Sequence, residues 1–547
     1  MNILTKKDLG RYLASFLNSK KVILFLLSIF YLLSLSHNVT TPFIGGTNDY
    51  NTTLFPGSAI NWSKFGPLNL NLSQYLYFDN LENKSLIPYF HHPQFITLPL
   101  WLSYKIFGIG EWQTRLVPVF FSFLAFLVFL KIVDLIFKKD FITIGAGFFY
   151  VFIPSSIYFG RMMSHEAITN FFILLGFLFL ILFEKKFHNF YLFGLLGSVF
   201  VGGLMDWPMF YAALSFFLYV YLSKDYPNRR LVFLLILLAS LSSLCVTFWQ
   251  FNIGGALGFL NLFQGFLRHS FLESTSLASL IVNKIYHESV NFTVIALFLS
   301  LLGILYFWRK SEFKEHRLMV LVLALPAIIH YGLFMGGKSH EFWSFYFIPF
   351  VSLMTLFGVM FVMSKYSRLA IILLIYFVIS SLWNTYMIFY PRFVFVNEDI
   401  NFIESVVDLS RKNVTCFDLE NDFGLYLHFY FMRSDFAMVE HLMPCGNSRY
   451  FLLRDWDTQI KSTDWHNYGI LNNGFRNSIE TAGFEVGSLI QILKNVPIFK
   501  NKLESKFANW QPVYNEWSIK KSTNEDFVKS LKLNLVSCSP NLCLYEK

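Results

Sequence analysis

Apolar residues recur along this chain in blocks of about 17 to 22, such as Leu116–Phe137 and Leu231–Trp249, with short polar connections between them. A helix rises 1.5 Å per residue, so a block of that length crosses a hydrocarbon core of roughly 30 Å. The pattern predicts about eleven membrane-spanning helices, near 20–36, 115–137, 141–159, 167–184, 189–205, 208–223, 231–250, 291–308, 317–335, 343–363 and 368–389. The first block, Val22–Ser36, follows Lys20 and Lys21 and has no small-residue cleavage site before Asn38. It reads as a retained signal anchor.

Two connections are long. The first, 37–114, carries Pro, Gly and Asn punctuation and an apolar stretch, Phe95–Phe107, too short to span and expected to lie in or dip into the interface. The second, 251–290, spaces Leu260, Phe263, Phe266 and Leu267 for another interfacial helix. Beyond about residue 390 the patterning becomes that of an ordinary soluble segment. Helix over Glu398–Arg411, strand over Val414–Asp418, helix over Phe423–Met432 and strand over Arg449–Arg454 suggest a small α/β domain. The expected organisation is a short N-terminus (1–19), a helical polytopic membrane domain (20–390) and a C-terminal soluble α/β domain (391–547).

Composition agrees with this picture. Only 14% of the 547 residues are charged and 55% are hydrophobic, against about 25% charged in a soluble domain. The net charge of +9 does not mark a nucleic-acid face, because the basic residues sit in short clusters between apolar blocks. Lys6, Lys7, Arg11, Lys20 and Lys21 precede the first span. Lys138 and Lys139, Lys185 and Lys186, Lys224 with Arg229 and Arg230, Arg309 to Arg317, and Lys365 with Arg368 occupy every second later connection. The positive-inside rule puts these in the cytoplasm with the N-terminus, and puts the alternate loops and the C-terminal segment outside.

Five cysteines are present. Cys245 falls within a span, where a small buried hydrophobe is expected. Cys416 with Cys445, and Cys538 with Cys543, can each pair in an oxidising compartment. No spacing resembles a zinc motif.

Ionisable groups at span ends are expensive and therefore candidates for function. Here they collect in the loops expected outside: Asp49 after Gly45-Gly46, His91-His92-Pro93, Arg161 with His165 and Glu166, Asp206-Trp207-Pro208, and Lys338 with His340 and Glu341. Each has a structural alternative. Asp49 can form a turn beside the glycines, His91 and His92 can cap a helix, and Arg161 can snorkel to lipid phosphates. Asp206 can be a helix N-cap ahead of Pro208, and Lys338 a lone interfacial lysine. Together they offer cations for a phosphate leaving group and carboxylates to orient or deprotonate an acceptor. A lipid tail on that phosphate would lie between spans. The substrate implied is a lipid-phosphate sugar.

The run from Asp49 through Ala59 and Asn61 to His91-His92-Pro93, Gly108, Gly110-Glu111-Trp112 and Arg115-Leu116 resembles the first outer loop of the dolichyl-phosphate-mannose-protein mannosyltransferase-like superfamily. These are the GT-C glycosyltransferases, which include the aminoarabinose lipid A transferases. Tyr158-Phe159-Gly160-Arg161 with His165-Glu166, Asp206-Trp207-Pro208, and His340-Glu341-Phe342-Trp343 with Tyr346 and Pro349 follow in the family's order. The resemblance covers residues 20 to 390. It implies a GT-C membrane enzyme that transfers a monosaccharide from a polyprenyl-phosphate donor to a glycan, lipid or protein acceptor at the extracytoplasmic face. Asp49 becomes the acceptor-side base and Glu166 the second acidic residue. Arg161, Lys338 and His340 contact the donor phosphate, with His91, His92, Asp206 and Glu341 around the same groove. The family's Asp-Glu reads Asp49-Tyr50 here, and its Pro-Pro reads Pro93-Gln94.

Asp455-Trp456-Asp457 is formally a nucleotide-sugar signature but follows a predicted strand in the outer tail, where it reads as loop. The Trp-Trp-Asp-Tyr-Gly signature of oligosaccharyltransferases is absent. Sequons at Asn38, Asn51, Asn61, Asn71 and Asn83 fit an outer loop. No cofactor is called for, and a divalent metal has no ligand spacing to support it. The main alternative is a polytopic transporter or flippase for a lipid-linked or anionic substrate, which should instead place charges near span midplanes.

Overall fold

The computed structural model describes residues 20–41, 43, 52, 54–78, 86–223, 226–253, 262–263, 266, 277–334, 341–389, 415–417, 450–454, 534–538 and 542–546. The expected interfacial helix around 260–267 and the tail helices at 398–411 and 423–432 lie largely or wholly outside them.

Helices dominate, and each expected span has a helical counterpart. They are α1 (Lys20–Ser36), α4 (Glu111–Phe137), α5 (Asp140–Phe152), α7 (His165–Lys186), α8 (Asn189–Met205), α9 (Pro208–Leu222), α10 (Arg229–Ile253), α12 (Val294–Arg309), α13 (Arg317–Leu333), α14 (Ile348–Lys365) and α15 (Ser367–Phe389). Six of the described helical segments are long and apolar enough to cross a membrane, and a bent pair makes a seventh. That pair departs from the expected straight third span. Pro154 cannot continue the hydrogen bonding of α5, so the chain turns by 69° into the short α6 (Pro154–Tyr158) and a 3-10 turn, Phe159–Arg161.

The ends of the helices follow local chemistry. Lys138 and Phe187 close α4 and α7 in the left-handed conformation, while Pro208 and Pro349 start α9 and α14 at positions where a missing N–H is harmless. In the bundle α7 and α14 are the most enclosed helices, and α10 and α15 the least. Ile371, Ile372, Ile375 and Ile379 of α15 stay exposed, as a lipid-facing surface requires. The chain is an integral membrane protein by the length and composition of these helices.

The basic connections meet at one end of the bundle. Lys20 pairs with Asp134 and, at 2.8 Å, with Asp140, while Lys185 donates to the Leu135 carbonyl at 2.6 Å. These contacts tie the start of α1 and the end of α7 to the α4–α5 turn.

The first long loop is more structured than its sequence suggests. It forms α2 (Pro56–Phe65), an antiparallel ribbon of β1 (Tyr75–Phe78) and β2 (Leu86–Pro88), and α3 (Thr97–Phe107). Ala59, Ile60, Asn61 and Trp62 of α2 are fully buried. The Trp62 indole donates to the Ser73 carbonyl at 2.9 Å and the Asn61 amide to Tyr75 at 2.6 Å, which welds helix to ribbon. Helix α3 covers the expected apolar stretch and packs on α2 and α4.

In the tail, β3 (Thr415–Phe417) and β4 (Tyr450–Arg454) coincide with the two expected strands and run parallel. Strands β5 (Asn534–Cys538) and β6 (Leu542–Glu546) complete a mixed sheet of order β3-β4-β6-β5. Cys538 and Cys543 occupy directly opposed positions of the β5–β6 pair.

Candidate functional site

At the end of the bundle opposite the basic connections, polar side chains from four elements converge. Asp206 sits between α8 and α9 and is 2% exposed. Its Oδ1 takes His92 Nδ1 at 2.8 Å and the Trp207 N–H at 2.8 Å, and its Oδ2 accepts the Tyr346 hydroxyl at 3.1 Å. The expected alternative of a helix N-cap is therefore corrected. Asp206 ends α8, the residue preceding α9 is Trp207 without a side-chain cap, and the carboxylate turns to the first loop.

His92 is held among rings. It stacks on His165 at 4.4 Å and lies nearly parallel to Tyr89 at 6.1 Å. The Trp207 indole donates to the His91 carbonyl at 3.0 Å. Gln94 sets the backbone here: its amide donates to the carbonyls of His92 and Tyr89 at 2.6 and 2.7 Å, and its oxygen accepts the Gln74 N–H at 2.7 Å. A second proline at this position could do none of this. The departure Pro93-Gln94 thus has a structural role that the sequence does not reveal.

Charge and hydrogen bonding favour an ion pair. Burial would raise the Asp206 carboxyl, but the charge and hydrogen bond of His92, aided by His165 and His330, hold it below the usual carboxylate range. Burial would likewise lower His92. The charge and hydrogen bond of Asp206, with a contribution from Glu166, outweigh that and raise it above its ordinary 6.5.

Glu166 begins α7, buried, and accepts a hydrogen bond from Ser164. Its charge reaches His92, so it belongs to the same cluster. Arg161 does something other than face a phosphate. Its guanidinium donates to the His37 carbonyl and, at 3.2 Å, to that of Asn38, at the exit of α1. Arg115 holds the next carbonyls, Val39 at 3.1 Å and Thr41, and lies 4.5 Å over the Phe43 ring. Thr52 in turn accepts the Met163 N–H at 3.0 Å. The described residues on either side of Asp49 are therefore anchored, Thr52 to the chain just before α7. Asp49, Lys338 and His340 lie outside the described residues, as does the side chain of Glu341, whose backbone opens the 3-10 turn Glu341–Phe347.

Two residues not singled out from the sequence adjoin the cluster. His330 of α13 is buried against Tyr211, Phe334, Trp343 and Tyr346. Lys284 of α11 (Leu277–Phe292) is a buried cation 4.5 Å over the Tyr331 ring and 6.0 Å from Trp343. His330 sits mid-pattern in an apolar span, where a lone histidine gives no more signal than a core residue. Among the described residues no three His, Cys, Asp or Glu side chains are grouped to hold a metal ion.

No protein-family model matches the chain, and no curated protein matches it. Solved structures do. The aminoarabinose transferase ArnT from Cupriavidus metallidurans bound to undecaprenyl phosphate aligns over 96% of this chain and 97% of its own, with a TM-score of 0.54 at 11% identity. Its apo state gives 0.50 at 12% identity over the same shares of both chains. The Archaeoglobus fulgidus oligosaccharyltransferase in complex with Zn and sulfate gives 0.46 at 12% identity, over 84% of this chain and 70% of its own. With ArnT matched along nearly the full length of both chains, the architecture is settled: this is a membrane protein of the GT-C fold.

Proposed function

We propose that the protein is a membrane glycosyltransferase that moves a monosaccharide from a polyprenyl-phosphate carrier to a hydroxyl of a glycan, lipid or protein at the extracytoplasmic face. The observation that carries this reading is the buried Asp206–His92–Tyr346 cluster with Glu166, set at the end of a GT-C bundle opposite its basic connections. The similar structure holding undecaprenyl phosphate supports the donor class.

In the proposed reaction Asp49 takes the proton of the acceptor hydroxyl as its oxygen bonds to the anomeric carbon. The bond from that carbon to the phosphate oxygen breaks in the same displacement, inverting the centre and releasing the polyprenyl phosphate. Lys338, His340 and His92 stabilise the charge that develops on the phosphate. Glu166 orients the acceptor. Arg161 acts at one remove, holding the exit of α1 so that the Asp49 segment is delivered to the start of α7. Eleven crossings from a cytoplasmic N-terminus put the tail sheet on the same side as the site.

The test is Asp49→Asn in full-length protein. The folded variant is expected to lose transfer by several orders of magnitude, and cells carrying it to accumulate a lipid-linked sugar and to display a surface glycan, lipid or protein lacking one sugar. Turnover by Asp49→Asn at the wild-type rate would sink the assignment.

A further inference from the structure

His92 presents its two ring nitrogens to opposite environments. Nδ1 is fixed on a carboxylate that is 2% exposed, whereas the side chain as a whole keeps 23% of its surface. No partner for Nε2 is found among the described residues. Stacking on His165 at 4.4 Å and parallel to Tyr89 at 6.1 Å holds the plane of the ring, and the Asp206 contact selects the edge that carries Nδ1. Asp206 is equally constrained, with Trp207 N–H on the shared oxygen and Tyr346 on the second. A carboxylate on Nδ1 fixes which nitrogen works and which one carries the outward N–H.

We propose that Asp206 is a positioning residue that holds His92 as an outward-facing Nε2–H donor to the phosphate of the lipid carrier. The proposal rests on the lipid-phosphate reading of the site and adds a consequence to it: carrier binding is gated by the proton on His92. A doubly anionic phosphate monoester gains a charge-assisted hydrogen bond from the imidazolium, and loses it when the ring is neutral. One other group that bears on His92 titrates in the same range: burial pushes the Glu166 carboxyl up to about 7, and its ionisation as pH rises weakens phosphate binding with the same sign, so His92→Gln is the variant that separates the two. His165 is stacked on the ring, His91 lies against Tyr89, His330 is across Tyr346 on α13, and the Tyr89 and Tyr346 hydroxyls carry no charge near neutrality. Asp206 is the one group in hydrogen-bond contact with the ring among the described residues.

The experiment measures binding of undecaprenyl phosphate to purified full-length protein from pH 5.5 to 8.5. Wild type is expected to bind more weakly as pH rises, with a midpoint above 6.5, the ordinary histidine value. The ligand cannot produce that sign, because its second ionisation near pH 6 adds negative charge as pH rises. His92→Gln is expected to lose about tenfold in affinity at pH 6 and to show no fall at higher pH. Asp206→Asn is expected to move the midpoint down by about one unit or more. Tyr346→Phe removes a donor from the carboxylate, makes it a stronger partner for His92, and is expected to keep the midpoint at or above that of wild type. An unchanged midpoint in Asp206→Asn overturns the proposal while leaving the lipid-phosphate reading intact, as does a wild-type fall with pH in His92→Gln, which applies even where Asp206→Asn does not fold. Absence of undecaprenyl phosphate binding by wild type at every pH overturns both.

Discussion

His92 Nδ1 and Asp206 Oδ1 lie 2.8 Å apart although 114 positions separate them in the chain. The pair ties the first outer loop to the α8–α9 connection, so its state governs stability as well as chemistry. His92 is raised, so its contribution is complete below its ordinary 6.5 and is lost as pH rises through the folded value. Asp206 is lowered, so its contribution is complete above its ordinary 3.8 and is lost as pH falls through the folded value. The thermal unfolding temperature in detergent is therefore expected to peak between about pH 4 and 6.5 with respect to this pair. Asp206→Ala should remove that peak and cost on the order of 3 kcal/mol at pH 6, since it leaves His92 Nδ1, the Trp207 N–H and the Tyr346 hydroxyl without their acceptor beside a buried void. A pH profile unchanged by Asp206→Ala would refute the assignment of the pair.

Arg161 separates two readings of a charged residue at a span end. Bound to the carbonyls of His37 and Asn38, it holds the chain that leads to Asp49. Arg161→Ala leaves those carbonyls without their donor and should destabilise the fold by about 2 kcal/mol. In the surviving folded protein kcat is expected to fall at least tenfold with little change in the affinity for undecaprenyl phosphate. The opposite split, weak binding with kcat preserved, would return Arg161 to the phosphate.

How much of the molecule is legible in the sequence depends on which interactions are local. The spans are readable because hydropathy acts over about twenty consecutive residues, and every expected span has a helix within a few residues of its place. The gathering of polar groups at one end follows from Lys and Arg placement, and His92, Glu166 and Asp206 do come together. The partner of each charge is not readable. Arg161 and Asp206 look alike in a hydropathy plot, yet one faces backbone carbonyls and the other an imidazole, because partner choice is set by contacts more than a hundred residues apart. Helix α2 escapes a sequence reading because Pro56, Gly57 and Ser58 look like loop, while in the fold Pro56 sits at its first turn. Gln94 departs from the family pattern, and only its hydrogen bonds reveal that it shapes the His92 backbone.

Helices α12 and α14 approach so closely that their glycines are obligatory. A Cβ on Gly303 would fall on the Met354 carbonyl oxygen, and one on Gly358 on the Leu299 carbonyl oxygen, so each glycine faces the backbone of the other helix. No rotamer change relieves such a clash, and the helices must separate. Gly358→Ala is expected to lower Tm by several degrees and Gly303→Leu to prevent accumulation of folded protein, both read by size-exclusion profile and thermal unfolding in detergent. Gly197 is the control, since a Cβ added there would meet nothing within 4 Å: Gly197→Ala should be neutral or slightly stabilising. Equal tolerance at Gly358 and Gly197 would show that α12 and α14 can part without loss to the fold.

His330 presents a different kind of test. It is 3% exposed, rings of Phe334 and Trp343 lie 5.2 and 5.0 Å from it, and neither ring nitrogen has a hydrogen-bond partner among the described residues. An imidazole always carries a donor, an acceptor or both, and leaving such groups buried without a partner costs about 1–3 kcal/mol each. His330→Phe keeps an aromatic ring of similar shape among Tyr211, Phe334, Trp343 and Tyr346 and removes both polar atoms. The expected result is a Tm equal to or above that of wild type, measured on purified protein without added ligand. Asparagine, which keeps polar atoms but loses the ring packing, is expected to fall below both. A large drop in His330→Phe with rescue in His330→Asn would mean that the nitrogens are satisfied in the folded protein, and would make this position part of a hydrated cavity continuous with Asp206 rather than an aromatic core.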